Sequence, residues 1–350
     1  MQFLNFMTTL SPFGISPPGS LRRIATGYLC VIFVLIITSA CGLPREMGPA
    51  TPLTPQLPDP IRAACVARDA LLSVLGAHDR KGAPSTRALG PEALREDSVT
   101  WLGHSGFLVR LGGQSVMIDP ILSDMFQIPL SPRRIAAAPD IAALDRVDAV
   151  LVSHEDHDHY DLPTLRGIAR AFPHASLLVP PEIRPDPARL GFARVITLSQ
   201  WDSVTLGRLK ITATPAVHYG RRDVLGFTPH PAVGWALRVG ARAVFHAGDT
   251  ARGPVHNEIG ERLGPFDLAL VPIGAFKPEN AVGDLHASPE CALAIAAAVR
   301  AKRAIGMHWG TFALSADSPA EAHARFLGAA APGKPKPMLI SIGETITLNP

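Results

Sequence analysis

Residues 151–159 read Leu151-Val152-Ser153-His154-Glu155-Asp156-His157-Asp158-His159. An apolar strand end runs straight into three histidines and three acids within six residues. Carboxylates packed this closely repel one another unless a cation sits among them. Neutral imidazole and carboxylate together suit zinc, manganese or iron. The stretch therefore predicts a metal site built where a strand ends.

Further candidates stand at later strand ends, the usual place for sites carried on a rigid scaffold. His218 closes LKITATPAVH, Asp249 ends AVFHAGD, and His308 follows the short apolar run AIGM. A lone histidine at such a place is ordinarily a satisfied core or surface residue. Four separate strand-end hits along one chain argue against that reading.

The strands themselves are legible from residue 98 onward. SVTWLGH, GFLVRLG and QSVMIDP predict three consecutive strands, split at His104-Ser105 and Gly112-Gly113. Then come VDAVLVSH, ASLLVP, ARVITL, DSVTLG, LKITATPAVH, VGWALRVG, ARAVFHAGD and FDLALVPIG. Helical patterns fall near 161–171, 288–301 and 319–328. Hairpins first and strand–helix alternation later predict a mixed α/β (α+β) chain, with two sheets covered by helices. The domain starting at 98 is expected to run to 350.

Of 350 residues, 47% are hydrophobic and 18% charged, which suits a sizeable core and excludes wholesale disorder. Net charge is +3, and Arg22 and Arg23 account for two of those charges in a stretch without acids; no nucleic-acid partner is implied. Four cysteines exclude a disulfide scaffold, although Cys65 and Cys291 are available to pair in an oxidising compartment.

The N-terminus reads as an address. Arg22-Arg23 precede seventeen uncharged residues, Ile24 to Ala40, and then Thr38-Ser39-Ala40-Cys41. This predicts a signal segment over 1–40 that resembles a bacterial lipoprotein signal, with Cys41 lipidated. An uncleaved membrane anchor is the alternative. Either places the remainder at the bacterial cell envelope, membrane-tethered. Residues 41–60 form a Pro-rich linker, with Pro49, Pro52, Pro55 and Pro58 at every third position suiting polyproline II. Residues 61–97 form an N-terminal extension, helical in spacing over 61–78 and polar over 79–97.

Taken together, SHEDHDH (153–159), PAVH (215–218), AGDT (247–250) and MHWGTF (307–312) resemble the metallo-β-lactamase superfamily. Within it they are similar to the branch of the N-acylphosphatidylethanolamine-hydrolysing phospholipases D. Trp101-Leu102-Gly103-His104, Ile118-Asp119-Pro120, His218-Tyr219-Gly220-Arg221-Arg222 and His286-Ala287-Ser288-Pro289-Glu290 extend the likeness from about Val99 to Leu314. The resemblance implies an αββα sandwich with two divalent metal ions at one edge, zinc first, with manganese or iron as alternatives. His154 and His218 would hold the first; Asp158, His159 and His308 the second; Asp249 would bridge. The family core is HxHxDH, and here Asp156 stands at the second histidine, so a carboxylate ligand is expected there. A weak first site with one working metal, or His157 swinging in, are the alternatives.

A bridging hydroxide between cations about 3.5–4 Å apart would be the nucleophile. Asp158 and His286 are the catalytic candidates, His286 by resemblance in the substrate pocket and otherwise a helix-entry residue ahead of Ser288. Asp119 is expected behind a ligating imidazole, or else is a turn acid before Pro120. His104 reads as a structural turn. Arg221 and Arg222 are expected to bind substrate phosphate, since guanidinium forks onto phosphate oxygens. Phe227, Phe276, Trp235 and Trp309 are candidates for apolar walls. The activity implied is a phosphodiesterase on N-acylphosphatidylethanolamine-like phospholipid. A lactonase or sugar-phosphate hydrolase, or a binding lipoprotein without turnover, are the alternatives.

Overall fold

A computed structural model describes residues 81–126, 134–222 and 229–348. The signal segment, Cys41, the proline-rich linker, residues 61–80 with Cys65, and Phe227 lie outside the described residues.

The first three strands are β1 (Ser98–Gly103), β2 (Gly106–Leu111) and β3 (Gln114–Ile118), joined as antiparallel neighbours. Short strands β4 (Ala149–Leu151), β5 (Ser176–Val179) and β6 (Arg194–Thr197) then add in parallel. The parallel crossover from β4 to β5 is helix α1 (Leu162–Ala171). A second sheet holds β7 (Ser203–Leu206), β8 (Leu209–Gly220), β9 (His230–Val239), β10 (Arg242–His246), β11 (Phe266–Pro272) and β12 (Ala301–Met307), neighbours in that order. Helices α2 (Val255–Leu263), α3 (Glu279–Val282), α4 (Pro289–Ala298) and α5 (Pro319–Gly328) lie between its later strands in sequence. Strand β13 (Lys336–Met338) ends the second sheet, and β14 (Thr345–Thr347) returns to pair with β1 in the first. The two sheets of seven strands with flanking helices are the expected two-sheet α/β architecture.

Alternation along the strands explains the layering. Val99, Trp101, Phe107, Val109, Val116, Ile118, Ala149 and Leu151 face one way, into a core shared with Ile211, Ala213, Val233, Trp235 and Leu237 of the second sheet. Their neighbours Leu102, Leu108, Met117 and Val150 face the other way and pack with Leu165 and Ile168 of α1. Successive strand side chains point to opposite faces, so strands covered on both sides read as continuous apolar runs. Trp235 and Phe276 belong to the sandwich core, and Trp309 is buried and stacks on Trp101 with centroids 5.9 Å apart. These three candidates for pocket walls are core residues, because large rings bury most area between sheets.

Three features add detail to the expected layout. The helix expected near 288–301 runs Pro289–Ala298, and the strand expected to end in AIGM is Ala301–Met307, pairing between β11 and β13. Helix α2, with its mixed Val255–Leu263 sequence, was not marked by the apolar spacing, since only His256, Ile259 and Gly260 are buried. Residues 81–97 contain a short 3-10 turn, Pro91–Leu94, and pack along the sandwich: Arg87 N–H donates to the Ile342 carbonyl at 2.8 Å.

Candidate metal centre

The chain's ligand candidates converge from both sheets. The run after β4 carries His154, Asp156, Asp158 and His159; β8 carries His218; the turn after β10 carries Asp249; and His308 directly follows β12. His218 departs from the expectation of a strand end. It lies inside β8, where the β8–β9 register shifts between Pro215 and Tyr219. That irregularity re-aims the side chain, as bulges do beside sites. Gly248 makes the turn to Asp249 possible: its φ is 60°, and a Cβ there would sit 2.7 Å from the Val233 carbonyl oxygen.

Three overlapping groups of donor atoms result among the described residues, one of them Asp249, His286 and His308. His154, His218 and Asp249 have donor atoms within 4.8 Å of one another, and so do His104, Asp158, His159 and His308. Asp249 touches the second group as well, its Oδ2 3.0 Å from His308 Nε2 and 3.4 Å from His159 Nε2. Its Oδ1 is buried without a hydrogen-bond partner. Asp249 therefore stands between the groups.

Asp156 joins the first group. Its Oδ2 is 3.5 Å from His154 Nε2 and 3.8 Å from His218 Nε2, and its Oδ1 accepts the Arg221 N–H. The other acid of the turn, Glu155, accepts the Arg222 N–H at 3.1 Å. Consecutive carboxylates thus latch consecutive amides at the end of β8. His157 points away, its Nε2 3.3 Å from the Arg222 carbonyl, so the reading in which it replaces the missing histidine has no geometric support.

A cation fits these residues on a structural test. The Nε2 atoms of His154, His159, His218 and His308 are all buried with no hydrogen-bond partner. Leaving one buried polar atom unpaired costs about 1–3 kcal/mol, so four imidazoles converging unpaired on carboxylates need a common partner. The opposite ring nitrogens of His154, His159 and His218 are held, whereas His308 Nδ1 has no partner. His159 Nδ1 lies 2.9 Å from Asp119 Oδ2, and His218 Nδ1 lies 3.1 Å from the Leu285 carbonyl. Donation from Nδ1–H leaves Nε2 bare and aimed inward, the arrangement that orients metal-binding imidazoles. Asp119 is itself fixed, accepting the Ser153 hydroxyl at 2.6 Å and the Ser153 N–H at 2.7 Å. It thus sits behind His159 as well as ahead of Pro120.

The charges agree with that chemistry. Burial alone would raise the Asp249 carboxyl, but His308 and His159 hold it well below its ordinary range. Asp158 and Asp156 are likewise driven down against burial, chiefly by His159 and by His154 respectively. All three remain anionic donors. Burial would lower His308, but Asp249 and Asp158 raise it to about 9, so it carries a proton that a cation would have to displace.

His286 is oriented into the same region. The Ala287 N–H donates to the Thr250 carbonyl at 3.0 Å, which pins the segment ahead of α4. His286 Nδ1 then lies 3.7 Å from Asp249 Oδ2, and burial lowers its pKa to about 3. Ser288 caps α4 by accepting the Cys291 N–H at 3.3 Å, so helix entry and site residue occupy adjacent positions.

The arginine pair divides. Arg222 is occupied, its Nη1 donating to the carbonyls of Glu155 and Tyr160 at 2.9 Å each. It braces the ligand turn, a correction to its expected role as a phosphate binder. Arg221 donates only to the Tyr219 hydroxyl, at 3.1 Å, among the contacts described, and it lies over that ring. The sequence assigned His104 only a structural turn; its side chain is buried 2.9 Å from Asp158 Oδ2. Its signal was the turn His104-Ser105 itself, which breaks two strands at the sheet edge holding Asp119.

A model of the beta-lactamase superfamily domain matches residues 114–309. A phospholipase D of Caenorhabditis elegans named for N-acyl-phosphatidylethanolamine hydrolysis is 33% identical over 61% of this chain and 64% of its own length. An uncharacterized protein of Mycobacterium tuberculosis is 32% identical over 72% of this chain and 70% of its own. Among solved structures, the metallo hydrolase Igni18 of Ignicoccus hospitalis superposes with a TM-score of 0.54 at 26% identity, covering 71% of this chain and 97% of that one. The chain belongs to the metallo-β-lactamase superfamily, and its class is that of the metal-dependent hydrolases.

Proposed function

We propose that the protein is a dimetal phosphodiesterase of phospholipase D type, acting on N-acylphosphatidylethanolamine-like lipids at the bacterial envelope, where Cys41 tethers it. The observation that carries the reading is Asp249 standing between two ligand groups whose imidazole Nε2 atoms are buried and unpaired. The relative named for N-acyl-phosphatidylethanolamine hydrolysis supports the substrate class, although this chain spans 64% of that protein's length. Among the described residues no helix is long and apolar enough to cross a membrane, so attachment falls to residues 24–41 in this reading.

His154, Asp156 and His218 would hold one cation, Asp158, His159 and His308 the other, with Asp249 shared. A divalent pair supplies a water nucleophile active near neutral pH and neutralises charge on the phosphoryl oxygens. The chain's own residues supply the rest. Asp119 fixes the His159 ring through Nδ1, and the Leu285 carbonyl fixes that of His218. Arg221 stands at the end of β8 with its guanidinium available to a phosphate oxygen. His286, kept neutral by burial, presents a ring nitrogen 3.7 Å from Asp249 for a proton leaving or reaching the substrate.

The test is release of phosphatidic acid from N-acylphosphatidylethanolamine in mixed micelles by the full-length chain. Release that a chelator stops and divalent metal restores is expected. Metal-loaded protein that leaves this lipid intact but opens a lactone or cleaves a sugar phosphate would move the substrate assignment within the superfamily.

A further inference from the structure

His104 has no place in the ligand set above, yet it is tied to two of its members. Its side chain is 1% exposed, and its Nε2 lies 2.9 Å from Asp158 Oδ2. The same Oδ2 is 3.4 Å from His308 Nε2 and 3.8 Å from His159 Nε2, so His104 touches the carboxylate oxygen that faces the other two donors. Its backbone is committed too. The His104 carbonyl accepts the His308 N–H at 3.0 Å and the Trp101 indole N–H at 2.9 Å, and its own N–H donates to Thr311 Oγ1 at 2.7 Å. One residue thus holds the side chain of one ligand and the main chain of another.

The conformation that allows this is uncommon. His104 has φ 53°, in the left-handed region, where a residue with a Cβ is strained. Asp119 and His308 share it, at 43° and 61°. A turn needing only to reverse β1 into β2 is made most readily by glycine, and Gly103 precedes it and Gly106 follows. A buried histidine there is explained by what its side chain reaches.

We infer that His104 is a positioning residue for the second metal: its Nε2–H donates to Asp158 Oδ2 and holds that carboxylate at the angle the cation requires, while its carbonyl sets the loop bearing His308. The tautomer follows from the contacts. A bare Nε2 would turn its lone pair on the carboxylate oxygen and leave a buried Nδ1–H unpaired, since Nδ1 has no partner. With Nε2–H, only the weaker demand of an unpaired acceptor remains. The inference rests on the metal reading above.

The test is metal titration of the full-length chain, prepared metal-free, with Co(II) followed by its visible absorption. Wild type is expected to take up two equivalents. In His104→Ala the first equivalent binds as in wild type, and the second binds about 10–100-fold more weakly. His104→Gln places an amide N–H near the same spot and recovers most of that loss. An unchanged second equivalent in His104→Ala overturns the inference, as does a glutamine variant no better than alanine. If the alanine variant does not fold, the wild-type tautomer decides. Nitrogen-15 spectra of the metal-loaded chain are expected to show His104 protonated on Nε2; a proton on Nδ1 with Nε2 metal-bound overturns the positioning role. Failure of wild type to bind any metal would instead remove the reading beneath it.

Discussion

Asp156 turns one carboxylate oxygen to within 3.5 Å of His154 Nε2 and gives the other to the Arg221 amide. A carboxylate can thus stand where the superfamily core has imidazole, because the backbone just past β8 fixes its second oxygen. Ligand and latch are separable. Asp156→Ala should lose both, taking up about one metal where wild type takes up two. Asp156→Asn keeps an oxygen for the amide, and its melting temperature should stay within a few degrees of wild type while the first site weakens. Equal metal uptake by all three proteins, measured by elemental analysis, would mean Asp156 serves only the latch.

Asp119 acts through His159. With its Oδ2 2.9 Å from Nδ1, it fixes the ring that faces the second site. Asp119→Asn should lower metal affinity about 10–100-fold. Metal competition with a chromophoric chelator measures this. Circular dichroism of the variant should match wild type.

In the proposed reading His159 faces the second cation, its Nε2 without a protein hydrogen-bond partner and its Nδ1 held by Asp119. His159→Ala should abolish turnover, a loss of at least about a thousandfold or ~4 kcal/mol in barrier. The fold should be retained. Unchanged turnover would refute the two-site assignment.

Asp317, outside the ligand set but within reach of the His308 charge, offers a stability prediction. Burial raises its carboxyl to about 6 from 3.8, against an opposing pull from its own N–H and that of Ala275. A raised carboxyl means the folded chain holds the proton more tightly than the unfolded one. Its contribution is therefore favourable below about pH 3.8, is lost as pH rises to about 6, and is flat above that. Asp317→Asn should remove that slope, read as the difference in melting temperature from wild type across the window.

Much of the sandwich was legible because its strands are buried on both faces. FDLALVP and GFLVRL carry no competing helical period. The segment AIGM was legible as a strand end ahead of His308, although the start of its strand at Ala301 was not, since Ala-rich α4 has no polar face to mark where the helix stops. The ligands were readable from one dense cluster and three strand-end residues. His104 was not, because its role depends on Asp158, 54 residues away, and a single histidine in a turn carries no spacing signal. Arg222 failed for the opposite reason. Its charge next to a ligand suggested a substrate, while its hydrogen bonds go to the carbonyls of Glu155 and Tyr160.

The central claim is that Asp249 joins two metal sites into one reacting centre. Metal content and phosphodiester turnover, measured on one preparation as metal is added back stepwise, test it most directly. The account predicts negligible turnover at about one equivalent and full turnover at about two, with Asp249→Ala unable to hold both. Full turnover at one equivalent, or in the Asp249→Ala protein, would contradict it.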